Sequence, residues 1–537
     1  MIGESREVTV RSRLILTRRR FVTTAASAGA ITLAGGLARP SISRANDRPL
    51  ITHGVQSGDV GTDSGVIWAR ADRPARMQIE IATTDSFRDV RQGVFVDALP
   101  ESDFTAKVLI EDLPAGQDIF YRLRFMDHSA PTILSEPAVG RFRTAPSDKR
   151  AVSFVWGGDV CGQGWGIDEA QGGMRMWATM GKQRPDFFIH CGDSIYADGP
   201  LFAEAKLRDG RVWKNVITEA KSKTAETLAD FRGCYQYNLT DNNVLAFNAE
   251  VPTFAQWDDH EVFNDWYPDE PIGRAEHQQR KLTVKNMMTL VARAGRAFHE
   301  YMPIRGTPAE PARVYRKLSY GPLLDVFMLD TRSYRGPNAA NLEESYGPAA
   351  YYFAPQQIAW LKRSLARSQA TWKVIACDMP LALMRRYGGL QGTGSDAMAQ
   401  NDHGAPRGRE LELADVLSFI RRERIRNTIW VTADVHYAAA HYFDPNKAAF
   451  QDFEPFWEFV AGPLHAGTGP FIEPDRSFGP QVVFHKAGLR EPGVNQGPPH
   501  GLQFFGHVSI DGPTEVMTVM LKDIDDNALW SIKLDPK

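Results

Sequence analysis

The chain predicts an α/β fold, a sheet with crossover helices preceded by a small antiparallel β-sandwich. Three observations predict it. Evenly spaced short runs with many turns fill residues 49–144, and continuous apolar runs separated by helix-like segments follow from Ala151 onward. Six of these apolar runs also end within a few residues in an aspartate, twice joined by a histidine. Such runs read as buried strands, and ligands in α/β sheets bind outside the carboxyl ends of the strands, so the carboxylates should converge on one rim. Converging carboxylates repel one another unless cations lie between them, which predicts a multinuclear metal site.

At 537 residues the chain exceeds a single ordinary core, and two domains are expected. An apolar share of 43% with 24% charged residues fits a globular enzyme and excludes a disordered or fibrous chain. A net charge of -3 leaves no excess of Lys and Arg for broad nucleic-acid binding. Phosphate chemistry, if present, must be focused locally.

Residues 1–45 read as a twin-arginine signal peptide. Arg18 and Arg19 stand ahead of a weakly apolar Ala/Gly/Thr stretch too short and polar for a transmembrane helix, and Ser43-Arg44-Ala45 supplies small residues for cleavage. Export by the twin-arginine (Tat) machinery to the periplasm or medium is expected, with no transmembrane domain in the mature chain. Residues 46–146 form the expected β-domain. Its strands are read at 65–70, 76–81, 106–110 and 119–125, with a turn at Leu113-Pro114-Ala115-Gly116 and a linker at 144–148.

Residues 147–537 form the expected catalytic domain. Its six strands end before Asp159, Asp193, Asp258-Asp259-His260, Asp330, Asp378, and Asp434 with His436. Helices are expected over 275–301, 355–367 and 409–424. The charged, helix-like insertion at 196–251 and the polar loop at 389–408 are expected to shape access to the rim or to decorate the surface. The four cysteines form no CxxC spacing; a Cys161–Cys191 disulfide is open, and burial as free thiols is favoured.

Gly192-Asp193-Ser194-Ile195-Tyr196 puts a carboxylate and a phenol just after a strand. A carboxylate can bridge two cations and a phenolate is a hard anionic ligand, although Tyr196 also fits a core position with its hydroxyl bonded. Asp258-Asp259-His260-Glu261 pairs acids with an imidazole, so that one group can bind metal while His260 faces substrate as proton donor or charge stabiliser. Asp434-Val435-His436 projects two ligands to one side of an extended segment. Asp159 follows two glycines that let the backbone approach a ligand, and Asp378 ends the fifth strand. For Asp330, beside Arg332 and Arg335, a structural ion pair is as good a reading as phosphate contact.

Together these motifs resemble the calcineurin-like metallophosphoesterases, specifically the PhoD-type alkaline phosphatases. The likeness extends to His53-Gly54-Val55-Gln56-Ser57-Gly58-Asp59, Trp68-Ala69-Arg70, Leu329-Asp330-Thr331-Arg332-Ser333-Tyr334-Arg335, Gly408-Arg409-Glu410-Leu411-Glu412 and Phe459-Val460-Ala461-Gly462-Pro463-Leu464. It implies a metallophosphoesterase-type layered α/β sandwich and an exported hydrolase of phosphomonoesters and phosphodiesters with an iron and calcium centre. By position, Asp193 would bridge the metals and Tyr196 would ligate iron. Asp259, Asp378, Asp434 and His436 would complete the shell, and His260 would steady the phosphoryl group. One departure is that Asp159 stands where the family's metal shell has cysteine, with Cys161 two residues later. A harder shell of this kind would broaden the metals accepted.

The implied chemistry is metal-assisted hydrolysis, the cations clamping the phosphate and activating a water for in-line attack. A phosphodiesterase or phospholipase D-like hydrolase shares all of these motifs. A non-catalytic envelope-binding protein would not need the adjacent histidine, and no serine constellation supports a serine nucleophile.

Overall fold

The computed structural model describes residues 48–90, 92–307, 309–387, 394–491 and 495–537. The expected signal peptide and residues 389–393 of the expected polar loop lie outside the described residues.

All six apolar runs that end in aspartate are strands: Val152–Gly157, Phe187–Cys191, Thr253–Gln256, Leu324–Met328, Trp372–Ala376 and Thr428–Thr432. The first three lie side by side and parallel within a nine-stranded sheet, and the other three do so within a seven-stranded sheet. Every residue of Phe187–Cys191, Leu324–Met328 and Trp372–Ala376 is buried, because each sheet is covered on both faces.

The two sheets pack on one another. Phe154, Phe187 and Phe254 from the first share a buried cluster with Leu324, Val326, Val374 and Val431 from the second. Phe187 stacks on Phe254 at 4.4 Å and meets Tyr320 of the opposite sheet at 4.8 Å. Helices Arg175–Lys182, Leu228–Asn238, Asn242–Glu250 and Met287–Tyr301 cover the outer face of the larger sheet. Ala354–Arg367 and Glu410–Arg422 cover that of the smaller. The result is a layered α/β sandwich in the order helix, sheet, sheet, helix, with the carboxyl ends of both parallel triplets available to one site.

The N-terminal region is all β. Gln92–Ala98, Ala75–Ala82, Asp118–Asp127 and Ala138–Arg143 form a four-stranded antiparallel sheet. Ile51–Gly58, Gly65–Ala71 and Thr105–Ile110 instead extend the nine-stranded sheet, with Gly58 pairing in parallel with Thr253. The segment 144–148 is tied down at its start: the Thr144 amide donates to Gln117 O at 3.0 Å and the Ala145 amide to Gly61 O at 2.9 Å.

The single helix expected over 275–301 is two, Ala275–Gln279 and Met287–Tyr301. Lys281 takes a φ of 57°, the Thr283 and Val284 amides donate to the Glu226 carboxylate, and Asn286 restarts the helix by accepting from Met288 N at 2.7 Å. The insertion after Tyr196 holds a small hairpin, Glu204–Lys206 with Val212–Lys214, as well as helices. All four cysteines are buried and free. Among the described residues no helix is long and apolar enough to cross a membrane.

Candidate metal centre

The rim residues sit on the turns that leave the strands, and several occupy unusual backbone. Asp159, Asp193, Asp434 and His436 have φ values of 70°, 52°, 61° and 60°. The left-handed region costs an L-residue about 1–2 kcal/mol, least for Asp and Asn, and such strain collects at functional sites. Gly192, at φ 98°, precedes Asp193; a Cβ there would lie 2.6 Å from the Asp258 Cβ, so only glycine lets the two acidic turns approach.

Asp159, Asp193 and His436 form one group whose ligand atoms lie within 4.8 Å of one another. His436 Nε2 is 3.2 Å from Asp159 Oδ1 and 2.7 Å from the Tyr196 hydroxyl, which brings the phenol to the same point. His436 Nδ1 is engaged by Gly467 O, so Nε2 is the nitrogen turned inward. Cys161 is absent from this group. Its thiol is buried in the helix-side core, and burial raises its pKa far above the ordinary thiol value.

A second group joins Asp258, Asp259 and Asp434, and a third joins Asp193, Asp259 and His260. His260 Nδ1 is 2.7 Å from Asp198 Oδ1, which leaves Nε2 to face the rim, and the ring stacks on Tyr196 at 4.0 Å. Glu261 fastens the turns to one another. Its carboxylate accepts from the amides of Asp193, Ser194 and Asp258 at 3.1, 2.6 and 2.9 Å and from the Ser194 hydroxyl at 2.6 Å.

Asp378 is placed differently. It is buried, but it accepts from the Thr331 hydroxyl and from Met379 N at 2.8 Å, lies 3.7 Å from Arg332, and belongs to none of the groups above. Asp330 is a turn-former, accepting from the Arg332 and Ser333 amides, the Ser333 hydroxyl and Trp257 Nε1. The Arg332 guanidinium turns instead to Asp258 at 2.6 Å and Asp396 at 2.9 Å.

The electrostatics follow from this crowding. Burial holds Asp193 and Asp258 well above the ordinary carboxylate range and pushes Asp434 up to about 6 and Glu261 and Asp265 up to about 7. Asp259 is buried too, but Arg332 and His260 pull it below its usual value. For His260, burial works against the charged ring, yet Asp198, Asp259 and Asp193 outweigh it and raise the pKa well above normal.

The residues fit bound cations. Asp159 Oδ2, Asp193 Oδ2, Asp258 Oδ2 and Asp259 Oδ1 are buried without a hydrogen bond, and Asp159 Oδ1 meets only His436 Nε2 at 3.2 Å. A buried carboxylate oxygen left unpaired is costly, and a cation supplies the missing partner. Asp159, Asp193, Tyr196, Asp258, Asp259, Asp434 and His436 are the residues that would hold such ions.

Asp198, Asp265, Asp396 and Arg385 also shape this site, and no strand-end pattern marks them; Glu261 shapes it from within a strand-end motif. The aspartates lie in loops whose composition resembles ordinary solvated turns. Only the third acid of Asp258-Asp259-His260-Glu261 hints at the role of Glu261.

Comparison with known proteins gives a consistent result. The PhoD-like phosphatase family matches residues 154–521, and the PhoD-like phosphatase N-terminal domain matches residues 36–146. Alkaline phosphatase D of Bacillus subtilis (strain 168) is 28% identical over 442 residues, covering 78% of this chain and 69% of the relative. A solved structure of PhoD shares the fold with a TM-score of 0.65 at 22% identity, covering 90% of this chain and 89% of the other. The purple acid phosphatase PPD1 from yellow lupin (Lupinus luteus) follows at a TM-score of 0.53 and 10% identity, covering 91% and 74%.

Proposed function

Because the chain belongs to the PhoD-like phosphatase family and is a phosphoric ester hydrolase, we propose that it is an exported enzyme releasing phosphate from phosphomonoesters and phosphodiesters at the acidic rim. The observation that carries this reading is the cluster of unpaired carboxylate oxygens on Asp159, Asp193, Asp258 and Asp259 beside a histidine whose Nδ1 is fixed by Asp198. Bound cations would supply charge neutralisation at the phosphoryl oxygens and a nucleophilic water. Iron and calcium are the proposed ions, Tyr196, His436 and Asp159 suiting a hard trivalent ion and the all-oxygen Asp258, Asp259 and Asp434 group suiting calcium.

The protein residues divide the remaining work. Asp193 links the His436 group to the His260 group and so orders the two halves of the rim. His260, oriented by Asp198 through Nδ1, would donate from Nε2 to a phosphoryl oxygen or to the departing alkoxide. Glu261 keeps the Asp193 and Asp258 turns in register. The twin-arginine leader supports export to the periplasm or medium.

The test is metal analysis of the mature protein with hydrolysis of a chromogenic monoester and its diester analogue, before and after chelation. Bound metal with chelator-sensitive turnover is expected, and the monoester-to-diester ratio separates a phosphatase from a dedicated phosphodiesterase. Metal without turnover would overturn the reading.

A further inference from the structure

Arg385 reaches the rim from the segment after the Trp372–Ala376 strand. Its Nη2 donates to Asp265 Oδ1 at 2.9 Å, and its Nη1 lies 3.3 and 3.5 Å from the two oxygens of Asp434. Asp265 is itself anchored, its amide donating to Asp259 Oδ2 at 2.7 Å and its carbonyl accepting from Asn338 Nδ2 at 2.7 Å.

Exposure separates this guanidinium from its neighbours. Arg332 and Arg335 have no exposed side-chain surface; Arg332 is held by Asp258 and Asp396, and Arg335 pairs with Asp396 at 3.1 Å. Arg385 keeps 30% of its side chain exposed. Its Nη2 bond is short and well anchored, whereas its Nη1 contacts are long, so Nη1 retains donor capacity toward the rim. A planar guanidinium with Nη2 held by Asp265 and Nη1 only loosely engaged by Asp434 can turn Nη1 to a phosphate oxygen in a charge-assisted hydrogen bond.

Resting on the hydrolase reading above, we propose that Arg385 binds the non-bridging oxygens of the substrate phosphate, with Asp265 as its positioning residue, and biases the site toward dianionic monoesters over monoanionic diesters. A monoester offers one more anionic oxygen than a diester, and a cation fixed beside the rim discriminates by that charge.

The experiment uses the metal-loaded full chain and the variants Arg385→Gln, Arg385→Lys and Asp265→Asn. Calorimetry measures binding of inorganic phosphate and dimethyl phosphate, kinetics are followed on p-nitrophenyl phosphate and bis(p-nitrophenyl) phosphate, and metal content is measured in parallel. Arg385→Gln is expected to keep its metal and to weaken phosphate binding and monoester kcat/KM by ~10–100-fold, with less than ~10-fold change for either diester. Arg385→Lys should fall between, because a compact ammonium keeps the charge but cannot span Asp265 and the phosphate as the planar fork does. Asp265→Asn should raise the monoester KM more than it lowers kcat. Unchanged phosphate affinity, or equal losses on monoesters and diesters, would overturn the proposal; if Arg385→Gln fails to fold, the same readings on Arg385→Lys decide it. A wild-type protein that binds phosphate over dimethyl phosphate through Arg385 but cleaves neither ester would overturn the hydrolase reading alone.

Discussion

His260 Nδ1 lies 2.7 Å from Oδ1 of Asp198, a carboxylate with no exposed side-chain surface whose other oxygen accepts from the Asn264 amide at 3.0 Å. That pairing fixes the ring orientation and favours its charged form, so Asp198 works through His260. Asp198→Asn should therefore lower kcat by ~10–100-fold while leaving metal content near wild type. Steady-state kinetics with metal analysis check it, and a parallel loss of metal would show that Asp198 supports the centre instead.

Asp193 and His260 should separate by phenotype. Asp193 belongs to two of the ligand groups, so Asp193→Ala should abolish hydrolysis and metal content together. His260→Ala should retain most metal and slow turnover by ~100–10,000-fold, the usual worth of a positioned acid–base group. A fully active Asp193→Ala protein would remove the basis of the site.

Glu261 accepts four hydrogen bonds from three turn residues while having no exposed side chain of its own. In Glu261→Gln the new amide donor faces amide donors, so stability should fall by about 3 kcal/mol and metal should be retained less tightly. Denaturant titration of the chelated and loaded protein would show both effects, and an unchanged midpoint would contradict the role.

Stability of the metal-free protein should fall as pH rises. Asp434 is raised to about 6 and Glu261 and Asp265 to about 7, above the unfolded carboxylate values near 4. A group whose folded pKa is raised contributes its full stabilisation below the unfolded pKa and loses it as pH passes through the folded one. His260, also raised, acts in the same direction at higher pH, while the depressed Asp198, Asp259 and Asp396 lose stabilisation only toward acid. Thermal melts in chelator should show a lower Tm at about pH 8 than at about pH 5, and added cations should stabilise most at the higher pH.

Asp159→Cys, which puts a softer thiolate in the group shared with Asp193 and His436, should move metal preference toward softer ions. Competition loading followed by elemental analysis would register the shift; an unchanged ion ratio would mean that Asp159 does not touch the metal.

The strands that build the site were legible because each is buried on both faces and so reads as an unbroken apolar run, as in Phe187–Cys191 before Asp193. Aspartates at those ends could be named from the chain alone. Asp378 shows the limit of that rule: it ends a strand like the others, but Thr331 and Met379 take up its carboxylate. Asp198, Asp265 and Arg385 were not legible, because their positions depend on how loops from separate strands cross above the rim. The broken helix at 275–301 escaped for a related reason. Its amphipathic period continues through the break, and Glu226, a residue remote in sequence, captures the Thr283 and Val284 amides.

The Tyr196 hydroxyl and His436 Nε2 meet at 2.7 Å although 240 residues of chain separate them. Tyr196 follows a strand of the nine-stranded sheet and His436 a strand of the seven-stranded one. An ion held between them would act as a removable cross-link between the two halves of the sandwich, and closing so long a loop carries a chain-entropy cost that grows only slowly with length. Loss of the ion should then register first as opening of the seam between the sheets, making protease nicking of the loaded and chelated protein a direct record of whether the halves are fastened.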